Sequence, residues 1–335
     1  MIYVNRFDSL RLILACGVCL YHLVVLSALD PNGDWETALG VWAELSIQGF
    51  FIVSGALVYG SWQRSDSLRD YAGKRVRRLY PAYAIIILVP ALVSLGLSRD
   101  WHAVAHYLGA NLLFMNFLQP DLPGLFAENR FVAVNGALWT LKIEVMFYIV
   151  LPSLAWLITR LGRAWPLVLA TLIGCSLVWG DFVDALDLPY GAQLTRQLPG
   201  QLMYFAVGMA LWRWRDLARR YPIPLFLCGA LLLVISVGWD VHILLRALSL
   251  VLCLAGLAYM PGPALPLSRW GDISYGIYII HFPVIQACVA LGLFDTLSGL
   301  MAGLICCVVI VFVSYLLWWT IEKPFLRRDS HYRQM

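Results

Sequence analysis

Hydrophobic residues along this chain fall in long uninterrupted runs separated by short polar breaks. An α-helix needs about 20 residues to cross a hydrocarbon layer. Measured against that length, the runs at 9–29, 38–61, 79–98, 138–158, 165–180, 199–212, 223–239, 243–260, 272–292 and 298–320 predict ten helices. Two of them, 165–180 and 199–212, are short by this measure, and 107–119 is a further apolar stretch expected to be re-entrant or interfacial. The pattern predicts an all-α fold, a polytopic transmembrane helical bundle of about ten spans that forms one membrane domain over 1–335.

Composition turns that pattern into an exclusion. Of the 335 residues 61% are hydrophobic and 13% charged, with a mean hydropathy of +0.75, whereas soluble domains carry about 25% charged residues. A water-soluble globule has no way to hide so much apolar surface. A soluble enzyme, a disordered regulator and a disulfide-stapled secreted module are therefore excluded. The 14 Trp and 16 Tyr suit a protein with many water–lipid boundaries. All eight cysteines lie in apolar stretches, where Cys acts as a small hydrophobe. Cys16-x-x-Cys19 has no second Cys or His pair at ligand spacing, so neither a metal nor a bound cofactor is expected.

The formal charge of +4 is too small to suggest a nucleic-acid partner, but its distribution gives an orientation. Lys and Arg are retained on the cytoplasmic side of membrane proteins. Ten spans with the N-terminus inside put 19 of the 24 Lys and Arg in cytoplasmic segments, Arg269, Arg328 and Arg333 among them. Only Arg99, Arg130, Arg196 and Arg246 fall outside, beside many acidic residues, Asp240 included. Both termini are thus expected in the cytoplasm. Arg6 and Arg11 ahead of an apolar run resemble a signal peptide, yet removing that run would spoil the alternation, so it is kept as the first span.

Ionisable groups inside hydrocarbon are costly and point to function. Arg11 and His22 are eleven positions apart, which returns them to one helix face about 16 Å apart along the axis. His22 then lies near mid-bilayer, and His281, entering from the same side, reaches a similar depth of about 15 Å. Glu144 enters from the opposite side, close enough to orient one of the imidazoles. Two histidines and a carboxylate at this depth read either as a reaction centre or as helix–helix hydrogen bonds of a bundle. Glu44 reads as interfacial or structural, and Lys142 as a snorkelling or paired side chain. Lys74, Arg75, Arg77 and Arg78, in a cytoplasmic loop that opens into the third span at Pro81, suit lipid headgroups, a polyphosphate ligand, or both.

Several of these residues recur as motifs: Arg11-x10-His22; Phe50-Phe51-x-x-Ser54-Gly55; Arg75-x-x-Arg78-x-x-Pro81; Trp139-Thr140-Leu141-x-x-Glu144-x-x-Phe147-Tyr148; Gly271-Asp272-Ile273-Ser274-Tyr275 through Tyr278 to His281; and Glu322-Lys323-Pro324. In this order, from about Phe7 to Pro324, they resemble the acyltransferase-3 family of polytopic membrane O-acyltransferases. Arg77 is an extra cation in that pattern, and Lys142 stands where the family usually has a small or neutral residue. Some relatives append an extracytoplasmic hydrolase-like domain; none follows within these residues, so delivery is expected to end on the acceptor or on a separate partner.

The resemblance implies a bacterial inner-membrane enzyme that moves an acyl group, expected to be acetyl, from cytoplasmic acetyl-CoA to a hydroxyl of a cell-surface or periplasmic glycan. Exopolysaccharide, O-antigen and lipid-linked sugars are the acceptor classes it implies. Lys74, Arg75, Arg77 and Arg78, with Arg11, would hold the donor's phosphates. His22 would act as general base or transient acyl carrier, with Glu144 and His281 as further catalytic groups. Ser54, Trp139, Tyr148, Ser274, Tyr275 and Tyr278 would position substrate. The competing reading is a transporter or flippase that uses mid-membrane His and Glu for coupling.

Overall fold

The computed structural model describes residues 6–239, 242–262 and 272–327. Gly271, Asp240, Arg269, Arg328 and Arg333 lie outside the described residues. Among those described, every regular element is helical. In order they are α1 (Phe7–Leu26), α2 (Asp34–Gln63), α3 (Leu68–Ser98), α4 (Trp101–Asn111), α5 (Trp139–Leu161), α6 (Trp165–Ala185), α7 (Gly191–Thr195) and α8 (Leu198–Arg213). There follow α9 (Arg215–Arg220), α10 (Pro222–Gly238), α11 (Ile243–Tyr259), α12 (Ser274–Ala290), α13 (Leu293–Thr296), α14 (Gly299–Leu317), a π-helical turn at Trp318–Glu322 and the short α15 (Lys323–Phe325).

Each of the ten apolar runs coincides with a helix: α1, α2, α3, α5, α6, α8, α10, α11, α12 and α14. By length and composition five helical stretches among the described residues are able to cross a membrane, namely Phe7–Leu26, Asp34–Gln63, Leu68–Ser98, Gly136–Ala185 and Gly299–Phe325. Helices α10, α11 and α12 are apolar but shorter. The protein is an all-helical, multi-pass membrane protein.

Two local expectations change. The basic run at Lys74–Arg78 is helix, because α3 starts at Leu68, and Pro81 sits inside that helix instead of opening it. Lys and Arg are good helix formers, and a helix can extend past the apolar run that marks its membrane portion. The 107–119 stretch divides: α4, whose N-terminus is capped by the Asp100 side chain on the Ala103 amide, ends at Asn111. Asn111 Nδ2 donates to the carbonyls of Tyr107 and Gln119, and the chain leaves the helix there. Residues 112–135 contain turns and bends but no regular element.

The chain forms two compact units. One comprises Met1–Arg11, Ile47–Tyr71 and Ile143–Leu265. In it α2 and α8 approach through two glycines: a Cβ on Gly55 would stand 2.5 Å from the Phe205 carbonyl oxygen, and one on Gly208 would run into the Ile52 carbonyl. Small residues are what let helix backbones meet this closely in an apolar bundle. Around that contact the Phe147 and Phe205 rings stack at 3.9 Å and Phe51 lies 5.0 Å from Phe205.

The other unit comprises Leu12–Ser46, Ala72–Lys142 and Pro266–Met335. Here α12 packs on α14, and the irregular 112–135 segment is pinned to α12 by side-chain amides. Asn129 Nδ2 donates to the Gln286 carbonyl and Oε1, the buried Gln286 Nε2 donates to the carbonyls of Phe131 and Ala133, and Asn135 Nδ2 donates to Ile279. A segment without helix or ladder must satisfy its backbone carbonyls by other donors, and Gln286 supplies two of them. Arg130 adds two bonds to the Glu36 carboxylate and one to the Val25 carbonyl.

The glycine contact is testable. Gly208→Leu should lower the thermal midpoint in detergent by an overpacking penalty of about 1–3 kcal/mol. Gly238→Ala, which adds its methyl to open space, should leave it unchanged; equal midpoints for the two variants would show that the backbone approach is not what holds this unit.

Candidate active site

Helix α1 carries Arg11 and His22, and α12 carries His281. The two imidazoles touch: His22 Nδ1 lies 2.9 Å from His281 Nε2, with ring centroids 5.0 Å apart and planes inclined by 27°. His281 is fully buried, while His22 keeps part of its surface open. The second nitrogen of His281, Nδ1, lies 3.0 Å from the carbonyl of Ile277, one turn earlier on α12.

For two neutral rings this chain of contacts fixes both tautomers. A backbone carbonyl only accepts, so His281 Nδ1 carries the proton and its Nε2 offers a lone pair. His22 Nδ1 must then donate to that lone pair, and His22 Nε2 is left as an acceptor. His22 is held as well by a backbone hydrogen bond to Val18, one turn earlier on α1. Packing holds the arrangement: Phe282 and Tyr21 sit 5.2 Å from the His22 ring, and Tyr278 stands edge-on to His281 at 5.9 Å. The Tyr278 hydroxyl is fixed in turn by Thr140 Oγ1 at 2.6 Å.

Glu144 belongs to the other unit, with Ser54 and Tyr148. Ser54 Oγ, from α2, donates to Glu144 Oε1 at 2.7 Å, and the Tyr148 hydroxyl, one turn along α5, donates to the same oxygen at 2.5 Å. The Tyr148 backbone carbonyl receives the Tyr71 hydroxyl. Two hydroxyl donors on one oxygen anchor this half-buried carboxyl group.

The basic run on α3 divides by environment. Arg77 is exposed and Lys74 and Arg75 are partly so. Arg78 is 11% exposed and lies between two carboxylates whose side chains are 1% exposed: Nη2 contacts Asp272 Oδ2 at 2.5 Å and Nη1 contacts Glu322 Oε2 at 2.9 Å. The rings of Tyr275 and Trp318 each stand 5.7 Å from its Cζ. Ser274 Oγ donates to the second oxygen of Asp272, and the Tyr275 hydroxyl donates to the Leu79 carbonyl.

The structure therefore gathers the expected site residues into three groups: His22 and His281 with Tyr278; Glu144 with Ser54 and Tyr148; Arg78 with Tyr275 and, through Asp272, Ser274. Arg11 stands in the first turns of α1, and Trp139 opens α5 half-buried. Asp272 and Glu322 were visible only as letters of two motifs, and Thr140, Trp318 and the Ile277 carbonyl were not singled out. For Asp272 and Glu322 the available signal was an acidic residue at each boundary of an apolar run.

A helical membrane protein with a pair of contacting histidines in its interior fits an enzyme or a transporter, and comparison of sequences supplies the class. The model of the acyltransferase domain matches residues 4–319, and the chain belongs to that family. It is 27% identical to an O-acetyl transferase of Shigella phage Sf6, over 97% of both chains. It is 29% identical to nodulation protein 10 of Rhizobium leguminosarum, over 86% of this chain and 84% of the relative. A peptidoglycan O-acetyltransferase of Listeria monocytogenes is 26% identical over 84% of this chain, which corresponds to 49% of that longer protein. No solved structure matches the chain. The protein is a membrane O-acyltransferase, and this replaces the transport reading.

The imidazole chain predicts a graded response at His281. In His281→Gln the amide oxygen can still accept from His22 Nδ1, whereas His281→Leu removes the acceptor. The Leu variant should lose roughly 10²-fold in turnover, within the range for a general base that is lost or misoriented, and the Gln variant should retain clearly more. Equal losses in the two would show that His281 is needed for packing and not for its lone pair.

Proposed function

We propose that the protein transfers an acetyl group from cytoplasmic acetyl-CoA to a hydroxyl of a cell-surface or periplasmic glycan, an exopolysaccharide, O-antigen or lipid-linked sugar, at the bacterial inner membrane. The observation that carries this reading is the His22 imidazole whose Nδ1 donates to His281, which leaves Nε2 with a lone pair within an apolar bundle. The printed names of the relatives, an O-acetyl transferase and a peptidoglycan O-acetyltransferase, support the acetyl group and a glycan acceptor.

In this reading His22 Nε2 takes the proton of the acceptor hydroxyl as its oxygen attacks the thioester carbonyl carbon. The tetrahedral intermediate collapses, the carbon–sulfur bond breaks, and the departing thiolate of coenzyme A takes the proton back from the imidazolium. One ester forms, one thioester is lost, and the base is regenerated. The hydrogen bond from Nδ1 to His281 does for His22 what an orienting partner does in other nucleophile–base pairs: it holds the ring and its tautomer. Lys74, Arg75 and Arg77 at the start of α3 are the donor's phosphate ligands, since guanidinium and ammonium groups on an accessible helix face suit a polyanion. Ser54 and Tyr148 brace Glu144 through its Oε1.

Purified protein in lipid nanodiscs, supplied with acetyl-labelled acetyl-CoA and a membrane fraction rich in glycan, should label the glycan. His22→Ala should reduce that labelling by about 10²- to 10⁴-fold, the usual contribution of a general base. Labelling near the wild-type level in His22→Ala would remove His22 from the reaction.

A further inference from the structure

We propose that Arg78 is a positioning residue that clamps α12 in place, and that Asp272 and Glu322 are its essential partners; the donor's phosphates are left to the other cations of α3. The inference rests on acyl transfer at the histidine pair, because what the clamp positions is the helix that carries His281.

Three parts of the chain meet on one guanidinium. Arg78 comes from α3, Asp272 from the residue pair just ahead of α12, and Glu322 from the π-helical turn that follows α14. Each terminal nitrogen of Arg78 is directed at a different carboxylate, and both carboxylates are almost wholly buried. A phosphate that used Arg78 would have to enter beside two buried anions and displace at least one of them, exchanging a satisfied ion pair for a stripped carboxylate. The aromatic faces of Tyr275 and Trp318 also line the guanidinium, so little of it is open.

The same contacts show what the clamp does. Asp272 also accepts from Ser274, the first residue of α12, and the Tyr275 hydroxyl reaches back to the Leu79 carbonyl beside Arg78. The first turn of α12 is thereby tied to α3 at two points. His281 lies seven residues along the same helix, about 10 Å by helical rise. A rotation or slide of α12 released by loss of the clamp would carry the His281 lone pair off His22 Nδ1. The π turn at Trp318–Glu322 fits this role: such turns re-aim side chains at functional positions, and here one brings Glu322 onto Arg78. Arg75, three residues earlier on α3 and partly exposed, is the cation of the run assigned to the phosphate.

The test uses full-length protein in nanodiscs and acetyl-CoA itself as probe. Asp272→Asn and Glu322→Gln keep side-chain size and remove one charge each. In both, turnover should fall at least tenfold while the Kd for acetyl-CoA stays within twofold of wild type, and hydrogen exchange across 274–281 should speed up. Arg75→Gln should do the reverse, weakening acetyl-CoA binding at least tenfold without altering that exchange. Arg78→Gln should behave like the carboxylate variants, and Arg78→Gln with Glu322→Gln should be no worse than Arg78→Gln alone. Weaker acetyl-CoA binding in Arg78→Gln, with unchanged or tighter binding in the two carboxylate variants, would overturn the proposal and make Arg78 a phosphate ligand. Should Arg78→Gln not fold, the two carboxylate variants decide by the same criteria. Were the wild-type protein to show no acyl transfer, the functional reading would fail, while the exchange measurement would still decide the clamp: unchanged exchange in both carboxylate variants would refute it.

Discussion

A hydrogen-bonding group surrounded by hydrocarbon side chains has no water to fall back on, and each one that stays there must be given a partner of the right polarity. His281 shows the constraint in its simplest form. Fully buried, it meets a carbonyl at one nitrogen and a second imidazole at the other. The first contact is enforced by helix geometry, because Ile277 is one turn away on the same helix. The second then has only one polarity available. A requirement of solvation becomes, two bonds later, the chemical state of His22.

Three other polar side chains of the described residues follow the same rule with different outcomes. Glu144 collects two hydroxyl donors on one oxygen. Arg78 collects two carboxylates and two aromatic faces, and ties three chain segments together as it does so. Gln286, buried in α12, spends both ends of its amide on the irregular segment from Asn129 to Ala133. Some of these groups therefore work on shape: Arg78, 11% exposed, is held between two carboxylates whose side chains are 1% exposed, while Arg77 of the same run is exposed.

What was legible in the sequence follows from the same physics. Apolar runs mark helices because a membrane span is a local, contiguous property, and ten runs fell on ten helices. That Arg11 and His22 belong to one helix was legible for the same reason, since both sit on α1. Partnerships across the chain were not. Arg78 finds its carboxylates 194 and 244 residues away, and no pattern local to Lys74–Arg78 distinguishes the clamped arginine from its accessible neighbours. The role of Ile277 is carried by a backbone carbonyl, which any residue type would supply. The helical state of the basic run was missed because hydropathy reports where a helix is apolar, not where it begins. For 107–119 the sequence offered one apolar stretch, and the Asn111 side chain divided it into helix and turns.

The central claim is that His22 presents an unprotonated Nε2 while its Nδ1–H donates to His281, the ring being held as well by a backbone hydrogen bond to Val18 one turn earlier on α1. Nitrogen NMR of the protein labelled with ¹⁵N-histidine, with the His22 signals assigned by difference from His22→Ala, reads that state directly at a pH where both rings are neutral. The account predicts a proton on His22 Nδ1 and a bare Nε2. A proton found on His22 Nε2 in the wild-type protein would contradict it.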